Sequence, residues 1–234
     1  MSRLVLADDE VHLWRLALDT GDEQHAALLD EAERARGARF LREMHRRRFL
    51  AAHVGLRRAL ARYAECTPAE LEFRTSETDK PSLVDADGLE FNLSHSGEHA
   101  LVAVTRAGIV GVDVEVARVL QDLEALARRF FAPEESAALM SLPEVERPAA
   151  FRRLWTRKEA FLKAWGTGLA GGLSSFAVSM QAGSATLLRN DDPARTRLDW
   201  TLWDLDAGPS AAGACALACE GGPKQLRLVE QGRP

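Results

Sequence analysis

Residues 111–115, with the sequence GVDVE, place two carboxylates two positions apart in a run of β-branched residues. In a β-strand, residues i and i+2 lie on one face, so Asp113 and Glu115 point to the same side, together with Gly111. Carboxylate oxygens are the ligands that Mg²⁺ prefers, and a neighbour without a side chain leaves room for a bulky phosphate. The alternative is the solvent-exposed face of an edge strand, which this short segment alone favours.

A second group with possible chemistry lies in residues 155–166, with the sequence WTRKEAFLKAWG. Glu159 and Lys163 are four residues apart and therefore share one face of a predicted helix. Such a pair is commonly a surface ion pair worth about 0.3 to 0.5 kcal/mol. Beside the two carboxylates of the preceding strand, however, Glu159 offers a third carboxylate for a cation. Lys163 then suits the neutralisation of charge during transfer from a pyrophosphate.

Hydroxyl, imidazole and basic side chains form two further groups. Ser94 and His95 lie in residues 91–97, FNLSHSG, where a predicted strand runs into a turn. A phosphate fits there, although a lone histidine is more often bonded to backbone. Lys80 precedes this strand in a polar loop, and Arg48 ends a run of three arginines. Such runs are usually solvated helix faces, and only an inward-pointing arginine grips a phosphate.

The elements that must position these groups alternate between helical and β patterns. Strands are predicted at residues 11–18, 91–94, 100–105, 109–116, 176–180, 185–188, 198–205 and 214–218. Helices are predicted from residue 22 onward and at residues 38–64, 123–131, 134–140 and 149–165. The fold class is therefore α+β. A basic pattern at residues 47–58 is echoed at 152–163, which predicts two similar subdomains, 1–107 and 108–234.

The composition excludes several classes of protein. Of the 234 residues, 46% are hydrophobic and 28% are charged, which is typical of a soluble globular protein. The net charge of −5 argues against a protein that coats nucleic acid. The longest apolar runs are far shorter than the roughly 20 residues that a membrane-spanning helix needs. Three cysteines form no disulfide framework, which predicts a reducing, cytoplasmic compartment, with Cys215 and Cys219 in the core.

Taken together and in this order, the motifs resemble the surfactin-type branch of the 4′-phosphopantetheinyl transferases. The two signature motifs of that family correspond to residues 111–115 and 155–163, about forty residues apart. They are supported by Lys80 with Pro81 and by residues 91–96. The resemblance implies two similar α+β halves related by a pseudo-twofold axis in a monomer, with coenzyme A bound in the cleft between them.

The resemblance also implies a role for each candidate residue. The residues that it assigns to Mg²⁺ or Mn²⁺, together with the coenzyme A pyrophosphate, are Asp113, Glu115 and Glu159. It places Lys163 against that pyrophosphate. The residues that it places around the adenosine 3′-phosphate and neighbouring phosphates are Arg48, Lys80, Ser94 and His95. Glu135 corresponds to a further acidic position near the site, although Glu134 beside it leaves the register open.

The reaction that the resemblance implies moves the 4′-phosphopantetheine arm of coenzyme A onto a serine of an apo acyl or peptidyl carrier protein. Glu159 removes the serine proton, directly or through water, while the metal ion and Lys163 neutralise the pyrophosphate. Three alternatives stay open: a generic Mg²⁺-dependent phosphoryl transferase or nuclease, a catalytically silent carrier-protein or coenzyme A binding module, and a structural or adaptor domain.

Overall fold

The structure, a computed structural model, describes residues 3–19, 21–64, 66–75, 80–85, 87–168, 172–208, 210–221 and 224–229. Helices and strands are mixed along these ranges, which confirms the predicted α+β class. The helices within them include none that is long and apolar enough to cross a membrane.

Eleven strands are found in the described ranges, and each predicted strand corresponds to one of them. They are β1 (Glu10–Ala17), β2 (Phe73–Thr75), β3 (Pro81–Leu83), β4 (Glu90–Ser96), β5 (His99–Thr105), β6 (Ile109–Val116), β7 (Phe176–Val178), β8 (Leu187–Asn190), β9 (Asp199–Leu205), β10 (Ala211–Cys219) and β11 (Gln225–Val229).

The α-helices of the same ranges are α1 (Glu31–Ala38), α2 (Glu43–Leu60), α3 (Leu123–Phe130), α4 (Pro133–Ser141) and α5 (Arg147–Trp165). The helix expected from residue 22 is instead a 3₁₀ helix, Asp22–Leu28, followed by α1. The break has a local cause. The Asp30 carboxylate accepts a hydrogen bond from the Glu33 amide, and the Glu33 carboxylate accepts one from the Asp30 amide. This capping box begins a new helix at that point.

The first sheet has the strand order β11-β1-β5-β4. β4 and β5 form a hairpin, and Gly97 at its turn has a φ of 58°, a conformation that a tight turn requires and glycine adopts freely. β1 pairs antiparallel with β5 on one side and parallel with β11 on the other. The apolar face of α2, including Ala52 and Leu56, packs on this sheet against Phe91 and Val102.

The second sheet is antiparallel, with the order β6-β10-β9. Helix α5 lies across β6 and β10 and buries Leu154 and Phe161 in a core that includes Leu202 and Ala214. Each half of the chain therefore packs one long helix on one sheet. The boundary between residues 107 and 108 stays a prediction, and β11, from the second half of the sequence, belongs to the first sheet.

The two sheets meet where β4 runs beside β6. Side chains of β4 take the place of a partner strand, because the side-chain oxygen of every second residue accepts a hydrogen bond from a backbone amide of β6. These bonds join the Val112 amide to Asn92 (2.9 Å), the Val114 amide to Ser94 (3.3 Å) and the Val116 amide to Ser96 (3.2 Å). The otherwise unpaired edge of β6 is thus satisfied, and its register against β4 is defined.

Candidate active site

The three predicted carboxylates meet at the junction of the halves. Asp113 and Glu115 project from β6, and Glu159 projects from the facing side of α5. Asp113 and Glu159 are buried, and Glu115 is partly exposed. Burial raises the pKa of all three carboxyl groups, and the proximity of Asp113 raises the pKa of Glu115 and of Glu159 further. The pKa of Glu159 reaches about 7. The alternative of a solvated edge-strand face is therefore wrong for Asp113.

Lys163 is the cation of this cluster. Its Nζ donates to Asp113 Oδ1 at 2.6 Å and to Ser94 Oγ at 2.9 Å. Ser94 in turn donates to the same Asp113 oxygen at 2.9 Å, and Ser96 donates to Glu115 Oε2 at 3.0 Å. The ion pair between Lys163 and Asp113 thus crosses from α5 to β6, unlike the surface pair along one helix that spacing alone suggested.

Two oxygens of the cluster are buried and lack a hydrogen-bond partner, namely Asp113 Oδ2 and Glu159 Oε1. A buried carboxylate oxygen without a partner is unfavourable, and a divalent cation offsets that cost. The donor set therefore fits a hard cation, with Glu115 as the third carboxylate. Among the described residues, however, no three acidic, histidine or cysteine side chains are arranged to hold a metal ion as they stand.

Gly111 has a different purpose from the one that the sequence suggested. A Cβ atom added to it would overlap the Ala160 carbonyl oxygen and the Ala164 amide nitrogen, and would lie 2.9 Å from the Lys163 carbonyl carbon. The missing side chain leaves room for the backbone of α5, and the expectation that it accommodates a phosphate is wrong. Close approach of helix and strand is what brings Lys163 to Asp113.

A cleft of about 300 Å³ opens beside the cluster. Its polar lining consists of Arg36, His53, Asn92, Ser94, His95 and Lys163, and none of its described lining residues is acidic. Desolvation, together with the neighbouring His53 and Lys163, lowers the pKa of His95. Basic walls of this kind attract phosphate groups.

Two of the predicted phosphate ligands are placed outside this lining. The Arg48 guanidinium donates to both oxygens of Asp19, at 3.0 and 2.7 Å. Lys80 Nζ donates to the carbonyl oxygens of Ala164 at 3.0 Å and Val110 at 3.3 Å, and so ties the end of α5 to β6. Contacts of Arg48 and Lys80 with a phosphate stay predictions.

Sequence reasoning missed His53 and gave Arg36 no role. His53 is a polar residue inside the apolar run 49–55 of α2, FLAAHVG, and a buried polar residue in such a run indicates a specific partner. The alternation of Asn92, Ser94 and Ser96 along β4 was a second available signal, since every second residue faces one side.

Glu135 lies in the core of the second half. Its Oε2 accepts from Lys158 Nζ at 2.6 Å and from the Ala132 amide at 2.9 Å, and its Oε1 accepts from the Val178 amide at 2.7 Å. Glu134 beside it bonds to Arg189 on the surface. Both Glu135 oxygens are therefore used in holding α4, α5 and β7 together, which is a structural role.

Glu159→Gln is expected to stabilise the metal-free protein above neutral pH. A carboxyl whose pKa is raised in the folded state stabilises folding only while it is protonated, so its contribution is lost as pH rises from about 4.5 to 7. The free energy of unfolding of the variant, relative to that of the wild type, should be about 2 kcal/mol larger at pH 8 than at pH 5. Urea unfolding in EDTA at both pH values measures this, and an equal difference at both would contradict it.

The chain is similar to known proteins along most of its length. The sequence model described as 4′-phosphopantetheinyl transferase superfamily matches residues 109–218, and that described as 4′-phosphopantetheinyl transferase, N-terminal, matches residues 19–107. The 4′-phosphopantetheinyl transferase HetI of Nostoc sp. is 40% identical over 92% of this chain and 90% of its own length. The 4′-phosphopantetheinyl transferase Sfp of Bacillus subtilis is 31% identical over 68% of this chain and 70% of its own. The crystal structure of Thermotoga maritima holo-[acyl-carrier-protein] synthase covers 48% of this chain and 64% of that one, with a TM-score of 0.38 and 23% identity.

Proposed function

The chain belongs to the 4′-phosphopantetheinyl transferase superfamily, and we propose that it transfers the 4′-phosphopantetheine arm of coenzyme A to a serine hydroxyl of an apo acyl or peptidyl carrier protein. The observation that carries this proposal is the pair of buried, unpartnered oxygens on Asp113 and Glu159, with Lys163 beside them. This arrangement joins cation ligands, a proton acceptor and a fixed ammonium group within one junction.

The reaction balances with the groups present. The serine oxygen forms a bond to the phosphorus that carries the pantetheine arm, and the anhydride bond to 3′,5′-ADP breaks. The serine proton goes to Glu159, directly or through water. Lys163 places positive charge next to the pyrophosphate, where negative charge accumulates on the leaving group.

A divalent cation is the cofactor that this donor set accommodates. We propose Mg²⁺, with Mn²⁺ as a substitute, and we propose Asp113, Glu115 and Glu159 as its ligands, together with the pyrophosphate. When bound, such an ion supplies Lewis-acid stabilisation of phosphate oxygens. Ser96 supports this role by holding Glu115 through one of its oxygens.

Three further features belong to the same proposal. The catalytic residues are Glu159 and Lys163, and a monomer is the expected state. A cytoplasmic location is supported by the free thiols of Cys66, Cys215 and Cys219, of which the last two are buried in the core as expected.

The silent binding module is not favoured, because Glu159 and Lys163 are both present and the relatives compared above are named as transferases.

The intact mass of an apo carrier protein tests the function. Incubation with this chain, coenzyme A and Mg²⁺ is expected to add about 340 Da, the mass of the arm, and EDTA should abolish the gain. A carrier whose acceptor serine is replaced by alanine is the matched control and should stay unmodified. Unchanged mass across acyl and peptidyl carriers, despite measurable coenzyme A binding, would favour the silent module instead.

A further inference from the structure

Lys80 joins three elements of the structure. It lies just before β3, and its side chain is largely buried, with 15% of its surface exposed. Its Nζ donates to the Ala164 carbonyl oxygen at 3.0 Å, to the Val110 carbonyl oxygen at 3.3 Å and to Glu90 Oε2 at 3.4 Å. Burial lowers the pKa of Lys80, and the Glu90 carboxylate opposes that shift. An ammonium group has three N–H donors, so these three acceptors match its full donor capacity.

Both carbonyl groups lie where the regular hydrogen-bond pattern ends. Ala164 is in the last turn of α5, where carbonyl groups have no partner within the helix. Val110 alternates with Val112 and Val114, so it faces the same edge of β6, whose amides are bonded by side chains of β4. A cation at the carboxyl end of a helix also interacts favourably with the helix dipole. Lys80 therefore caps α5 and extends the side-chain bonding along this edge of β6.

These bonds lie where the backbones of α5 and β6 come into contact. A Cβ atom on Gly111 would overlap the Ala164 amide nitrogen, and Lys80 bonds the carbonyl groups of Ala164 itself and of the residue before Gly111. Lys163 is the residue before Ala164, and its Nζ donates to Asp113, two residues after Gly111. Movement of the end of α5 away from β6 would therefore separate Lys163 from Asp113.

The bonds of Lys80 compete with a phosphate contact. Of the described residues that line the basic cleft, Pro81 is one and Lys80 is not. To donate to a phosphate there, Lys80 would have to give up at least one of its present acceptors. A backbone carbonyl group at the junction would then lose its donor, which is unfavourable.

We propose that Lys80 is a positioning residue, which holds the end of α5 against β6 and so sets the position of Lys163 for transfer of the arm. This role replaces the phosphate contact that the resemblance implies for Lys80. The use of Lys163 in transfer rests on the proposed function, whereas the contact that Lys80 makes between α5 and β6 does not. A displacement of about 1 Å at a reacting group can lower a rate by about a hundredfold, so a small movement of α5 has a large effect.

Hydrogen exchange of the ligand-free protein tests the contact directly. In Lys80→Met, a flexible side chain remains but has no donor. Amides in the last turn of α5 and at the start of β6 should therefore exchange roughly tenfold faster than in the wild type, while those of α2 and β1 should not change. The matched control is Lys224→Met, since Lys224 lies just before β11 and should leave both segments unaffected. No change in either segment, or an equal change throughout the protein, would overturn the proposal.

Kinetics of arm transfer test the consequence for Lys163. Lys80→Met should lower kcat by roughly tenfold to a hundredfold per folded molecule, while the KM for coenzyme A changes less than about threefold. A raised KM with an unchanged kcat would make Lys80 a phosphate ligand and overturn the proposal, and so would wild-type kinetics.

A second variant keeps the test decisive if Lys80→Met does not fold. Lys80→Gln retains N–H donors on a side chain that is one atom shorter and uncharged, so it should change exchange and kcat in the same direction and by less. If the wild-type chain transfers no arm to any carrier, the proposed function fails, but hydrogen exchange still shows whether Lys80 holds α5 against β6. The two failures are therefore distinguishable.

Discussion

Glu159→Gln is expected to lower the rate of arm transfer by roughly 10²- to 10⁴-fold, the contribution of a positioned general base. Glutamine keeps the shape and an acceptor oxygen but takes up no proton, so the serine oxygen stays protonated during attack. Binding of coenzyme A should weaken far less than the rate falls, since glutamine keeps an oxygen that can ligate the metal ion and Lys163 is unchanged. Single-turnover mass spectrometry gives the rate, and calorimetry gives the affinity.

Glu134→Gln is the matched control for this prediction. Glu134 is an exposed glutamate whose carboxylate bonds to Arg189 on the surface, so its replacement should leave transfer unaffected. A Glu159→Gln enzyme with a near-normal rate would remove Glu159 from the role of base. The carboxylates of Asp113 and Glu115 would then have to supply it.

Gly111→Ala is expected to destabilise the protein by about 3 kcal/mol, at the upper end of the usual cost of overpacking. The added methyl group meets backbone atoms of Ala160 and Ala164, which cannot rotate away as a side chain does. Helix α5 must therefore move off β6, and Lys163 and Glu159 move with it. Urea unfolding measures the stability, and the rate of transfer per folded molecule should fall as well.

Gly213→Ala provides the comparison in the neighbouring strand β10. An added Cβ there lies 3.1 and 3.2 Å from side-chain atoms of Leu101 and Leu205, which yield more easily than backbone. Its cost should therefore be clearly smaller than that of Gly111→Ala. If Gly111→Ala were as stable as the wild type, α5 would tolerate displacement from β6. The close approach of α5 to β6 would then not explain why residue 111 is a glycine.

Local patterns were sufficient to predict most elements of the fold. The alternation of apolar residues with Gly111, Asp113 and Glu115 predicted β6, and the helical period around Glu159 predicted α5, because each pattern depends on residues close in sequence. The resemblance then assigned Asp113, Glu115, Glu159 and Lys163 to one site, and the structure brings these four side chains to one junction.

The remaining features depend on contacts between distant segments, which a single sequence does not encode visibly. The pentapeptide at 111–115 favoured a solvated face, since nothing in it shows that α5 covers Asp113. The reason for a glycine at position 111 is visible only from the position of the Ala160 backbone, which leaves no room for a side chain. The structural role of Glu135 likewise depends on Lys158, 23 residues away.

The parallel pairing of β11 with β1 bears on how the protein matures during translation. β1, β4 and β5 leave the ribosome early, whereas Gln225–Val229 follows only after the whole second sheet has been synthesised. Until then one edge of β1 has no partner strand and is open to pairing with another nascent chain. The first sheet is therefore completed only after the last strand of the second has been synthesised.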